Sequence, residues 1–165
     1  DTGKTSLIEQ IIKTLVKDGY NVATIKNTNK ETSIDDVGKD TWKHSSAGAM
    51  LVVLSTPVET DFIVKDKIST KDIVQIISEF GYYNVILIEG ARDSFIPKIR
   101  IGTIKKRDNT IMNYQNNFKE IYKIEQKLRD ELKDNKLKKK EFVKKRKNQV
   151  KPILKEFHDL LIKIK

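Results

Sequence analysis

Cysteine is absent from this 165-residue chain, which excludes disulfide frameworks and thiolate metal centres. No apolar run approaches the ~18 residues a membrane-crossing helix needs. The strongest, such as Val85-Ile86-Leu87-Ile88, are strand-sized. No secretory signal pattern opens the chain and no internal repeat is visible, so the expectation is a cytoplasmic protein without a membrane partner. What is present is a well-solvated composition, 38% hydrophobic and 34% charged, enough for one core and a smaller appendage.

Charge divides the chain unevenly. Residues 1–107 hold 16 Lys/Arg against 14 Asp/Glu, whereas residues 108–165 hold 17 against 9. The basic excess therefore belongs to the second stretch, and two functional units are expected, 1–107 and 108–165.

The first stretch alternates helix and strand. From Gly3 to Lys17 the residues Leu7, Ile8, Ile11, Ile12, Leu15 and Val16 form one apolar face, and Asp18-Gly19 stops that helix. A strand is expected at Asn21–Lys26, a long polar loop to Asp40, and a short helix from Thr41 to Ala47. Strands follow at Met50–Ser55 and Thr60–Val64, then a helix capped by Ser69 with Asp72 at its third position. Asn84–Ile88 and Lys98–Ile104 complete the set. Helices of this length between apolar strands imply right-handed crossovers, and so an α/β architecture with a mostly parallel sheet and flanking helices. Beyond it, Phe118, Ile121, Tyr122, Leu128 and Leu132 repeat helically from Tyr114. Val150, Ile153, Leu154, Phe157, Leu160, Leu161 and Ile164 do so further on. A C-terminal helical hairpin turning at Asp134-Asn135 is the expectation.

Gly3-Lys4-Thr5-Ser6 opens the first helix and matches the end of a phosphate-binding loop, Gly, four residues, then Gly-Lys-Ser/Thr. Asp1 and Thr2 would fill the last two intervening positions. The first strand of such a fold is expected upstream, since the sequence begins inside the motif. In this arrangement backbone N–H groups and the helix N-terminus bind phosphate oxygens. Lys4 would reach the terminal phosphates and the Thr5 hydroxyl a Mg²⁺ ion. As a bare tripeptide the motif equally suits an ordinary helix start. A second signal is the strand ending at Glu89-Gly90, where a carboxylate could hold the Mg²⁺ shell or orient a water. Asp35 and Asp40, in the loop Asp35-Asp36-Val37-Gly38-Lys39-Asp40-Thr41-Trp42, are acidic candidates of the same kind. A solvated loop with a helix cap at Asp40 explains them as well.

In their linked order these residues resemble the MobB family, the GTP-binding adaptors of molybdopterin-guanine dinucleotide biosynthesis. The order runs Gly3-Lys4-Thr5-Ser6-Leu7, Gly19 to Lys26, Asp35 with Gly38-Lys39-Asp40-Thr41-Trp42, Ala47-Gly48-Ala49, Val52 to Ser55, Leu87-Ile88-Glu89-Gly90 and Pro97-Lys98-Ile99. The resemblance covers roughly residues 1–104. It implies a P-loop NTPase fold, a homodimer, GTP and Mg²⁺ as ligands, slow GTPase activity and a molybdopterin guanylyltransferase of the MobA type as partner. By position it assigns phosphate binding to Asp1, Thr2, Gly3, Lys4, Thr5 and Ser6. It assigns metal binding to Thr5, Asp35 and Glu89, and catalysis to Lys4, Asp40 and Glu89. Arg92 and Lys98 stand where the family has basic residues. Asn27 stands where its members often carry His, and no Asn/Thr-Lys-x-Asp signature for guanine is present.

Two other readings stay open. One is a small-molecule or nucleotide kinase on the same fold, with Arg92, Lys98 and Arg100 as its basic cluster. The other is a nucleic-acid or protein-binding module working through the Lys136–Lys147 stretch, where Phe142 alone could stack on a base.

Overall fold

The computed structural model describes residues 3–115 and 117–133. Asp1, Thr2 and the second arm of the expected helical hairpin, from Leu137 on, lie outside the described residues, as does the Lys136–Lys147 stretch. Two compact units divide the chain, one taking Thr28–Ile73 and the other the residues before and after it.

In the larger unit the motif-bearing helix α1 (Lys4–Lys17) turns its apolar face inward. Leu7, Ile11 and Leu15, at helical spacing, are buried, with Leu15 fully so, and each contributes ~1.5–3 kcal/mol by leaving water. The helix ends in a Schellman turn. Tyr20 N–H donates to Leu15 O at 3.0 Å and Gly19 N–H to Val16 O at 2.9 Å, with Gly19 at φ 82°, a conformation that costs glycine nothing. Buried Tyr20 then packs in the same cluster as Leu15. The turn leads into β1 (Val22–Lys26), which pairs in parallel with β4 (Val85–Glu89), Val22 opposite Val85 and Lys26 opposite Glu89.

A second parallel pair joins β5 (Lys98–Ile101) to β6 (Thr110–Tyr114), with a register shift at Lys98/Ile99. Parallel neighbours normally need a crossover of a dozen residues. Here the connection is residues 102–109, which suffices because a four-residue strand is only ~13 Å long. Helix α4 (Phe118–Leu132) follows, its N-cap Asn117 accepting from Lys119 N–H at 2.9 Å. Ile121, Ile124 and Leu132 of α4 and Tyr114 of β6 close on Leu7, Ile11 and Leu15, with Val22, Val85, Leu87, Ile99 and Ile101 packed around them.

Two sequence expectations change here. The expected strand Lys98–Ile104 stops at Ile101. The expected helix from Tyr114 begins instead at Phe118, because Thr110–Tyr114 is a strand. Its alternation, Ile111 out and Met112 in, is too short and too flanked by Asn and Arg to stand out in the sequence.

The smaller unit holds α2 (Asp40–Ser46) and an antiparallel hairpin of β2 (Leu51–Ser55) and β3 (Thr60–Val64). Val52 is its buried residue. Helix α3 (Thr70–Phe80) starts in this unit and ends in the other. Its Ser69 cap is as expected: Ser69 Oγ accepts from Asp72 N–H at 3.2 Å and donates to Asp72 Oδ2 at 2.6 Å.

Candidate functional site

Gly3, the residue that precedes α1, has φ 70° and ψ 8°, a left-handed conformation, and its carbonyl accepts the Leu7 N–H at 3.1 Å. Among the described residues no side-chain cap hydrogen bond closes this helix end. A helix start of this kind offers backbone amides and the positive end of its dipole to an anion. Lys4 is half-buried and Thr5 and Ser6 are exposed.

Eighty-four residues later the chain brings Glu89 to the same place. The Thr5 hydroxyl lies 3.4 Å from both Glu89 Oε1 and Oε2, a long and evenly shared contact rather than a tight hydrogen bond. Strand pairing produces this approach. Asn27 N–H donates to Glu89 O at 2.8 Å, which fixes the end of β4 beside β1. Just beyond, Gly90 has φ 83°, and a Cβ there would stand 2.5 Å from Asn27 O. Asn27 thus serves through its backbone at the position where a His side chain is common in the family that the sequence resembles.

The oxygens of Thr5 and Glu89 suit Mg²⁺, a hard cation that takes oxygen ligands at ~2.1 Å, so that neighbouring ligands in its octahedron lie ~3 Å apart. Among the described residues no group of three or more His, Cys, Asp or Glu could hold a metal by itself. Mg²⁺ is commonly bound through one or two protein oxygens together with phosphate oxygens and water, and Thr5 with Glu89 would supply such a pair.

Asp35 and Asp40 belong to the smaller unit and are described within it. Asp35 Oδ1 accepts from the Thr41 hydroxyl at 2.7 Å, while its Oδ2 is buried without a partner. Asp40 is the first residue of α2 and pairs with Lys43 Nζ at 2.9 Å, largely in solvent. Lys39, not Asp40, occupies the cap position, a difference of one residue that lies within the fraying of helix ends.

Lys98 and Arg100, two of the basic residues after Glu89, are engaged with backbone. Lys98 Nζ donates to the carbonyls of Asp93, Ile96 and Asp108 at 2.5, 3.0 and 3.2 Å. Arg100 Nε donates to Ile104 O at 2.6 Å. Two members of the cluster that a kinase acceptor site would need are thus tied into the fold. A further arginine, Arg107, not singled out in the sequence, donates from Nη1 to Ala91 O at 3.4 Å; the β5–β6 pairing brings it there.

A family model described as molybdopterin guanine dinucleotide synthesis protein B matches residues 1–124. A protein of Methanocaldococcus jannaschii, provisionally named a molybdopterin-guanine dinucleotide biosynthesis adapter protein, is 32% identical over 136 residues, 75% of this chain and 56% of its own length. The adapter protein of that name from Haemophilus influenzae is 29% identical over 100 residues, 59% of this chain and 56% of its own. The chain therefore spans little more than half the length of these relatives. Among solved structures, MobB of Bacillus subtilis superposes with a TM-score of 0.60 at 23% identity, covering 71% of this chain and 76% of that one. The Bacillus stearothermophilus MobB homologue does so with a TM-score of 0.52 at 14% identity, over 78% and 92%. The α/β fold with parallel strands and flanking helices is the one these structures share, and the chain belongs to the MobB family.

Proposed function

We propose that this chain is the nucleotide-binding part of an adaptor in molybdopterin-guanine dinucleotide biosynthesis, which binds GTP with Mg²⁺ and hydrolyses it slowly. The observation that carries the reading is the convergence of the Thr5 hydroxyl and the Glu89 carboxylate at the amide-lined start of α1. In this reading the first-turn amides from Gly3 to Ser6 hold the phosphates, with Asp1 and Thr2 assigned by the motif alone. The Lys4 ammonium offsets charge on the terminal phosphates, and Thr5 and Glu89 supply Mg²⁺ ligands. Glu89 also orients the attacking water. Asp35, with its unpartnered Oδ2, and Asp40 are retained as acidic candidates on their chemistry. Preference for guanine over adenine, and a guanylyltransferase of the MobA type as partner, are parts of this proposal that rest on the resemblance to the family. Positioning and charge neutralisation without a dedicated arginine finger give slow turnover.

The test is titration of the whole protein with GTP and ATP in Mg²⁺. Tight GTP binding is expected, and Lys4→Ala should weaken it by about tenfold to a hundredfold, the worth of one charge-assisted hydrogen bond. Unchanged affinity in that variant would remove Lys4 from the site.

A homodimer is part of the same proposal, and the smaller unit supports it. The pairs Leu51–Val64 and Val53–Phe62 place four apolar side chains on one face of the hairpin, all of them 44–54% exposed. A two-stranded hairpin is marginal alone, and a second copy of this face would cover it.

A further inference from the structure

We propose that Lys98 is a positioning residue for the Glu89 carboxylate, acting through the loop by which the chain leaves β4. The proposal rests on the nucleotide and Mg²⁺ reading above.

Residues 90–97 form neither helix nor strand, yet their backbone is held at four carbonyls. Ala91 O accepts from Arg107, Asp93 O and Ile96 O from Lys98, and Phe95 O from Asn109 Nδ2 at 3.3 Å. Apart from the Ile96 N–H, which reaches Asp93 O at 3.3 Å from within the loop, these donors come from β5 or from the connection to β6. Lys98 is the centre of this arrangement. An ammonium has three N–H groups, and its three acceptors lie on two different segments, residues 93–96 and Asp108. Its own backbone N–H donates to Asn109 O at 2.9 Å. The Lys98 side chain thus ties the loop after Glu89 to the end of the β5–β6 connection through three donors on one nitrogen, which the planar fork of arginine does not reproduce.

The Glu89 main chain is already fixed by β1, but its carboxylate is not. Among the described residues it accepts only the two long contacts from Thr5. Its direction depends on how the chain continues through Gly90 and Ala91. With Lys98 removed, Ile96 O and Asp108 O lose their donor and Asp93 O keeps only the Ile96 N–H at 3.3 Å, so the loop can pivot at Gly90. A displacement of ~1 Å at a liganding oxygen is enough to spoil a metal site. Lys98 therefore acts through Glu89 on the metal and does not touch the nucleotide.

The experiment measures the Mg²⁺ concentration giving half-maximal GTP binding, and GTP affinity in EDTA, for the whole protein and its Lys98→Met, Glu89→Gln and doubly substituted variants. Lys98→Met is expected to raise the Mg²⁺ requirement about tenfold, as loss of a group supporting a metal ligand does, while affinity in EDTA stays unchanged. The double variant should match Glu89→Gln. Equal weakening with and without Mg²⁺, or full additivity with Glu89→Gln, would overturn the proposal. Exposed Arg107→Ala, which frees Ala91 O, carries the test should Lys98→Met not fold. A smaller shift in Mg²⁺ requirement supports the proposal and no shift overturns it. If the unmodified protein binds GTP without regard to Mg²⁺, the site reading itself falls and takes this one with it. A normal parent with an unaffected Lys98→Met removes the Lys98 role alone.

Discussion

Gly90 and Gly19 have almost the same backbone conformation, φ 83° and 82°, but different surroundings. This makes a controlled experiment available. Alanine at either position meets the left-handed penalty of ~1–2 kcal/mol. At Gly19 a Cβ would find nothing within 4 Å, so the strain is the whole cost. At Gly90 the same atom would lie 2.5 Å from Asn27 O, with Asn27 C at 3.4 Å. Backbone cannot swing aside as a flexible side chain can, so either Asn27 or the end of β4 must move. The hydrogen bond at risk is Asn27 N–H to Glu89 O, 2.8 Å. Losing it costs ~1–3 kcal/mol if either group is left without a partner. Gly90→Ala should therefore destabilise the protein by ~1–3 kcal/mol more than Gly19→Ala. Urea unfolding of the two variants and the parent, compared at constant m-value, reads the difference directly. Equal losses would refute the close approach of Gly90 to Asn27, and with it the account of how the Glu89 carboxylate is delivered to Thr5.

Arg129→Met removes the 2.6 Å ion pair to Asp18 and the contact to Glu125 and should cost ~1–2 kcal/mol in thermal or urea unfolding. Asp18, chiefly by its hydrogen bond, raises the Arg129 pKa above an already very basic value. The contribution is complete below the unfolded-state pKa and is lost only as pH rises through the folded one, so the difference between parent and variant should stay flat from about pH 7 to 10. Phe62→Asp, in the centre of the exposed hairpin face, is expected to convert a dimer to a monomer in sedimentation velocity without lowering GTP affinity; a dimer that persists would place the contact elsewhere.

The legible parts of this fold were those with long periodic signals. Helix α1 announced itself through six apolar residues at helical spacing, and its end through Asp18-Gly19. Strand β4 was read from an uninterrupted apolar run, and α3 from Ser69 with Asp72. The pairing of Thr5 with Glu89 was predictable from the motif order, because a strand that ends in an acid beside a phosphate loop is a recurrent juxtaposition. What escaped were features made by contact between distant short segments. Strand β6 has five residues and owes its state to β5. Lys98 stands in the sequence only as a basic residue at a family position and as one of three in a kinase alternative, because sequence shows a charge but not its acceptors. Its three backbone carbonyls come from positions two and five residues before it and ten residues after it, and nothing in their side-chain identities marks them.

Helix α4 shows how far the core reaches past the family match. That match ends at residue 124, yet the polar contacts that bind α4 to α1 lie at and beyond that limit. The Thr14 hydroxyl donates to Glu125 Oε1 at 2.8 Å, and Arg129 pairs with Asp18. Glu125 is only 8% exposed and meets the Thr14 hydroxyl and, at 4.0 Å, Arg129; a buried carboxylate without such partners would be costly. The α1 partners in this network, Thr14 as donor and Asp18 as acceptor, sit in its last turn and cap, whereas its first turn carries Lys4 and Thr5. The helix whose first turn carries Lys4 and Thr5 is thus held at its far end by Glu125 and Arg129, which lie past the family match. Apolar packing of Ile121 and Ile124 against Ile11 sets the spacing, and the polar pairs set the register along the axis. A helix anchored in this way can move its N-terminus only as a rigid body, and such movement would have to break the α4 contacts.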